Sequence, residues 1–223
     1  MAVRRSFFSS SIGSKYLIAF TGVSLVGFLV GHLAGNLLIF VSPEAFNAYG
    51  EAMIHNPLLV PAELGLLALF LLHVYKTVRL FVGARDARPA AYAHKQWAGH
   101  TSRKSWASTT MILSGTFLFL FVPFHLKTFK YGPYYEAPEG GRDLWRLTAE
   151  VFSSPGYVIF YTVSMVIVGF HLWHGVSSAL QSVGIDRTGL APRLRMFGWV
   201  VAVVVAGGFL AIPLYLFLFG GRS

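Results

Sequence analysis

Cysteine is absent from all 223 residues, which excludes disulfides, thiolate metal sites and iron–sulfur ligation within this chain. Charge is scarce as well. Only 12% of residues are Asp, Glu, Lys or Arg, where a soluble domain carries about a quarter. Acid is the scarcest sign, with 9 Asp and Glu against 18 Lys and Arg. A chain so poor in charge and 55% hydrophobic reads as an integral membrane protein. Its net charge of +9 is then orientation charge and contact with anionic lipid, not a nucleic-acid surface.

The N-terminus, "MAVRRSFFSSSIGSKYLIAF", begins basic as a signal peptide does. The apolar run that follows is too long for a signal segment and has no convincing cleavage site, so it reads as a retained span. A bilayer core about 30 Å thick needs roughly 20 apolar residues of helix. Five segments reach that length, at about 15–41, 57–81, 106–128, 156–183 and 196–220. The intervening stretches, 42–56, 82–105, 129–155 and 184–195, read as loops. None is long enough for a soluble domain, so residues 1–223 form a single transmembrane domain. In "SSPGY", Ser154 is a candidate N-cap and Pro155 fits the first turn.

Basic residues set the direction. One side of the bundle holds Arg4, Arg5, Lys15, Lys76, Arg79, Arg85, Arg88, Lys95, Arg103, Lys104, Arg187, Arg193 and Arg195. The other holds only Lys127, Lys130, Arg142, Arg146 and Arg222, with Glu136, Glu139, Asp143 and Glu150 among them. The positive-inside rule puts the N-terminus in the cytoplasm and the C-terminus outside.

Five of the 8 histidines fall in spans: His32, His73, His125, His171 and His174. A polar group at membrane depth needs a partner. One histidine can find it on a neighbouring helix, but here four different spans contribute. The span directions place His32 and His125 in the outer half. They place His73 in the inner half, with His171 or His174. Two pairs at two depths suggest two haems, each held by two axial histidines. Such iron has no open position and suits electron transfer. Zinc would need more donors at one point, and a proton relay would not predict two depths. Gly27, Gly31 and Gly35 lie four apart on one face of the first span, which allows close helix packing or room for a flat macrocycle.

These residues resemble the cytochrome b membrane anchor of succinate dehydrogenase and fumarate reductase, in its single-chain, five-helix, di-haem form. The similarity runs along nearly the whole chain. It rests on "IGSKYLIAFTG", "FLVGHLAGN" around His32, "LFLLHVYKTVRL" around His73, "FVPFHLKTFKYG" around His125, and "GFHLWHGVSSALQSVGI" around His171 and His174. The resemblance implies an all-α integral membrane protein whose five helices form a haem-binding bundle. It implies that His32 and His125 hold the outer haem b, and that His73 and His171 hold the inner one. The family's fourth ligand stands four residues before a glycine, which is His171 before Gly175. Depth alone slightly favours His174, which is otherwise expected to touch a haem propionate or a neighbouring helix.

The implied role is quinone reduction. A flavoprotein with FAD and an iron–sulfur subunit would oxidise succinate in the cytoplasm and pass electrons through both haems to a quinone, menaquinone being expected, near the outer one. The localisation implied is the bacterial inner membrane, and a higher oligomer of the complex is compatible with it. His94, His100, Arg103 and Lys104 are candidates for docking the partners or holding propionates. Glu63, the one acid inside a span, is a candidate for proton exchange at the quinone site. Some family members carry a glutamate two residues before the fourth-span ligand. Gly169 stands there in this chain, so that proton route is not supplied. Two rivals remain on the sequence: a di-haem anchor of another quinone-linked oxidoreductase, and a haem-free protein with a histidine proton relay.

Overall fold

The computed structural model describes residues 10–87, 106–185 and 190–220, with side chains in the second stretch from residue 110. His94, His100, Arg103 and Lys104 lie outside the described residues. Regular structure among the described residues is helical, with one isolated bridge between Glu136 and Arg142. The helices are α1 (Ser11–Asn36), α2 (Pro43–Ile54), α3 (Leu59–Asp86), α4 (Trp106–Phe129), α5 (Leu144–Ser153), α6 (Pro155–Ser182) and α7 (Ala191–Phe219). A short 3₁₀ turn, Leu37–Phe40, continues α1. Five of these elements are long and apolar enough to cross a membrane: α1 with its extension, α3, α4, α6 and α7. The molecule is therefore an all-α bundle of membrane spans.

Helix ends follow local chemistry. Ser10 caps α1 by accepting from the Gly13 amide at 3.0 Å. Pro155 opens α6, where its missing N–H is no loss. The Ser154 side chain makes no capping bond there, so the stop between α5 and α6 rests on the proline and the extended Ser154 backbone.

Two helices occupy stretches that read as loops. In α2, Ser42 accepts from the Ala45 amide at 3.1 Å and Pro43 fills the first turn. In α5, Asp143 accepts from the Arg146 amide at 2.9 Å. Both are too short to span. They lie across the outer end of the bundle, with Phe46, Asn47, Leu147 and Phe152 buried. Asn47 joins them: its amide donates to Asp143 at 3.0 Å and its carbonyl oxygen accepts from the Trp145 backbone N–H at 2.9 Å. Removing a buried partner strands the groups it satisfied, at about 1–3 kcal/mol. Asn47→Ala should therefore lower the thermal midpoint and open α5 to protease. An unchanged midpoint would show the bonds to be dispensable.

Packing inside the bundle is uneven. Helix α6 lies closely along α7 and also meets α1 and α4, while α1 meets α3. One core cluster joins Ile39, Phe46, Phe152, Tyr161, Ile212 and Leu216 at the outer end. A second joins Met165, Val168, Leu172, Ala202, Val205 and Ala206 further in. Helices α3 and α4 contribute little to either. Among described residues, only Lys76 of α3 and Ser114 of α4 are buried. Val60, Leu64, Leu67, Leu71 and Val78 of α3 form an exposed apolar stripe at helical spacing, which suits lipid contact.

Candidate functional site

The outer level is built from α1 and α4. The rings of His32 and His125 lie 6.0 Å apart between centroids and 86° between planes. Two imidazoles sharing one metal through bonds of about 2 Å have ring centres about 6 Å apart, so this spacing fits a shared axial metal. Aromatic side chains wall the pair. Phe28 stacks on His32 at 5.3 Å, Phe209 lies 5.5 Å away, and Phe121 stacks on His125 at 5.6 Å. The Tyr161 hydroxyl is 3.4 Å from His125 Nδ1. The Asn36 amide donates to the His32 carbonyl at 2.7 Å and lies 3.3 Å from His32 Nδ1. A His32 ring that ligates through Nε2 carries its proton on Nδ1 and cannot accept there. Asn36 then keeps only the carbonyl bond.

The inner level is built from four helices. His73 on α3 faces Thr21 on α1, with Nδ1 3.1 Å from the hydroxyl. His171 on α6 faces Ser114 on α4, with Nδ1 3.0 Å from the hydroxyl. His171 lies within electrostatic range of both His73 and His174. A glycine follows each hydroxyl, and at Gly22 its missing side chain eases the approach of the ring. A Cβ on Gly22 would sit 3.3 Å from His73 Cε1, and one on Gly115 would sit 3.5 Å from His171 Cε1. His174 is half-buried, and no hydrogen-bond partner for its ring occurs among the described residues.

The glycines of α1 separate into two kinds. Gly35 is a packing glycine, since an added Cβ would run into the Tyr49 ring. Gly27 and Gly31 have open space instead, with nothing within 4 Å of an added Cβ. Close helix packing thus explains one of the three. Open space beside His32, together with the sparse burial of α3 and α4, fits a flat group seated between helices.

Glu63, near the outer start of α3, forms an ion pair with Lys130 just beyond α4. Both side chains are about two-fifths exposed, at 38% and 39%. A cavity of about 470 Å³ opens at the C-terminal end of α4, lined in part by Phe124, Lys127, Thr128, Tyr135, Glu150 and Tyr157. A hydrogen bond to Glu150 pushes the Tyr135 phenol above its ordinary range, burial and the carboxylate charge acting the same way. No group of three or more His, Cys, Asp or Glu side chains that could hold a metal occurs among the described residues.

Sequence reasoning missed Thr21, Ser114, Asn36 and Tyr161. A signal for the first two was present. Thr21-Gly22 precedes His32, and Ser114-Gly115 precedes His125, at the same spacing of eleven residues from hydroxyl to histidine. Eleven residues are about three turns and about 16 Å of helix. Each of α1 and α4 thus places an outer histidine and an inner hydroxyl on one face.

Five candidate spans, with the His32 and His125 rings facing each other across two of them, define a helical membrane bundle. Among curated proteins, the chain is similar to the succinate dehydrogenase cytochrome b558 subunit of Bacillus subtilis (strain 168). Identity is 25% over 194 residues, covering 86% of this chain and 88% of that protein. No family model matches the chain, and no solved structure matches it.

Proposed function

We propose that this chain is the di-haem cytochrome b anchor of a succinate:quinone oxidoreductase in a bacterial inner membrane. The observation that supports the reading is the outer pair, His32 and His125 from two different spans, with ring centroids 6.0 Å apart. The similarity to a succinate dehydrogenase cytochrome b558 subunit over most of both chains supports it. His32 and His125 would hold the outer haem b, and His73 and His171 the inner one. When bound, a haem with two axial imidazoles supplies one-electron transfer and leaves no open iron position.

The chain's own residues do the rest. The aromatic wall around His32 and His125 keeps water from the outer level. The inner pair stands toward the side that carries most of the Lys and Arg, where a flavoprotein with FAD and an iron–sulfur subunit would dock. A quinone, menaquinone by the resemblance, would be reduced near the outer level. The cavity at the C-terminal end of α4 is large enough for a ring of that size. Glu63, held by Lys130 at the same end, is the proposed proton-exchanging carboxylate.

Haem content tests the reading. The purified complex should give two b-type haems per chain by pyridine haemochrome. A well-folded protein without haem would overturn the assignment and leave the histidine proton relay.

A further inference from the structure

We propose that Thr21 and Ser114 are positioning residues that fix the tautomer of the two inner ligands. The inference rests on the proposed function and adds the part played by two hydroxyls. A hydroxyl has one proton to donate. Thr21 gives its proton to the carbonyl of Leu17 at 2.7 Å, with that of Ile18 at 3.2 Å. Ser114 gives its proton to the carbonyl of Met111 at 3.1 Å. Such back-bonding to the preceding turn is the usual use of a hydroxyl inside a helix. Each oxygen can then only accept from the imidazole 3.1 or 3.0 Å away. The proton must therefore sit on Nδ1 of His73 and of His171. Nε2 is left with its lone pair, the form in which imidazole binds a metal.

Burial makes this choice firm. Thr21 is fully buried and Ser114 is 9% exposed, so water does not compete for either oxygen. The two sites also repeat each other. Each uses a hydroxyl followed by glycine on one helix and a histidine on another, and each hydroxyl stands eleven residues before an outer histidine. The outer level has no equivalent. Around His32 and His125 stand the Asn36 amide, which donates to the His32 carbonyl one turn back and has no lone pair on nitrogen to accept a ring N–H, and the Tyr161 phenol, whose hydroxyl is 3.4 Å from His125 Nδ1.

A ring N–H that donates to an acceptor makes the imidazole a more basic ligand, which favours ferric over ferrous iron. Losing the acceptor should therefore make the inner haem easier to reduce. The test is a redox titration of the purified complex, followed optically and by the ferric haem resonances, on Thr21→Val, Ser114→Ala and Thr21→Ser. In the first two, the inner haem (the one that His171→Ala removes) should show a ratio of reduced to oxidised form about threefold to tenfold higher at fixed potential. Tenfold corresponds to about 59 mV for one electron. Thr21→Ser should keep the wild-type value, and the outer haem should not move in any variant.

An inner potential unchanged in both Thr21→Val and Ser114→Ala would overturn the inference while leaving the di-haem reading intact. So would a shift, or a loss of haem, in Thr21→Ser equal to that in Thr21→Val, because shape and not the hydrogen bond would then matter. Absence of haem from the wild type would overturn the function itself.

Discussion

His171→Ala should leave one haem per chain where the wild type is expected to carry two, and His174→Ala should leave both. The two rings are one turn apart on α6, and depth alone slightly favours His174. Their surroundings differ. His171 has Nδ1 bonded to Ser114 at 3.0 Å and its Cε1 edge against Gly115. His174 has no such anchor among the described residues. A ligand must be held in one orientation before it can bind iron with a defined geometry, and loss of orienting partners alone weakens metal sites about 10–100-fold. Complete loss of the imidazole should be far more severe. Pyridine haemochrome on the two purified variants reads the result directly. A single haem in His174→Ala with two in His171→Ala would move the ligand by one turn and leave Ser114 holding a bystander.

The second large effect is expected where no histidine lies. Gly198→Leu in α7 should destabilise the bundle by about 1–3 kcal/mol or more, the range for overpacking a tight contact. A Cβ at Gly198 would stand 2.7 Å from the Trp173 carbonyl oxygen and 3.3 Å from the Ser177 amide nitrogen. Both are backbone atoms of α6 and cannot swing aside, so α7 would have to move away. That carbonyl also accepts from the Ser177 hydroxyl at 3.1 Å. Trp173 lies within one turn of both His171 and His174, and the proposed inner haem should be released first on heating. Gly207→Ala on the same helix is the control, because nothing lies within 4 Å of a Cβ there. Thermal unfolding in detergent with haem absorbance as one probe separates the two. Equal midpoints for both variants would show that α7 does not brace α6 at Gly198.

Much of the architecture was legible because the membrane imposes one rule. A run of about 20 apolar residues must be a helix, and the five spans needed no tertiary information. Helices α2 and α5 escaped for the converse reason. Their buried residues, such as Phe46 and Leu147, are covered by distant parts of the chain, and a periodicity of only three turns is a weak signal. The histidines stood out because imidazole in lipid demands a partner. Their partners did not, because a threonine or serine in a span is ordinary. Thr21 gains meaning only when α3 brings His73 against it. Gly27, Gly31 and Gly35 look alike in sequence, yet only the neighbour of Gly35 makes it a packing residue. Gly169 is similar: its Cβ would stand 3.3 Å from that of Ala206, so the position belongs to the α6–α7 contact.

Asn47 bears on how such a chain is made. It bonds Asp143 and Trp145 across 96 and 98 residues of sequence. During synthesis α2 reaches the outer face long before its partner exists. It must wait there, half-covered, until α4 has been inserted and the stretch behind it delivered across the membrane. Insertion of α4 also carries His125 toward His32. Closure of the outer cap and completion of the outer histidine pair thus depend on the same late event.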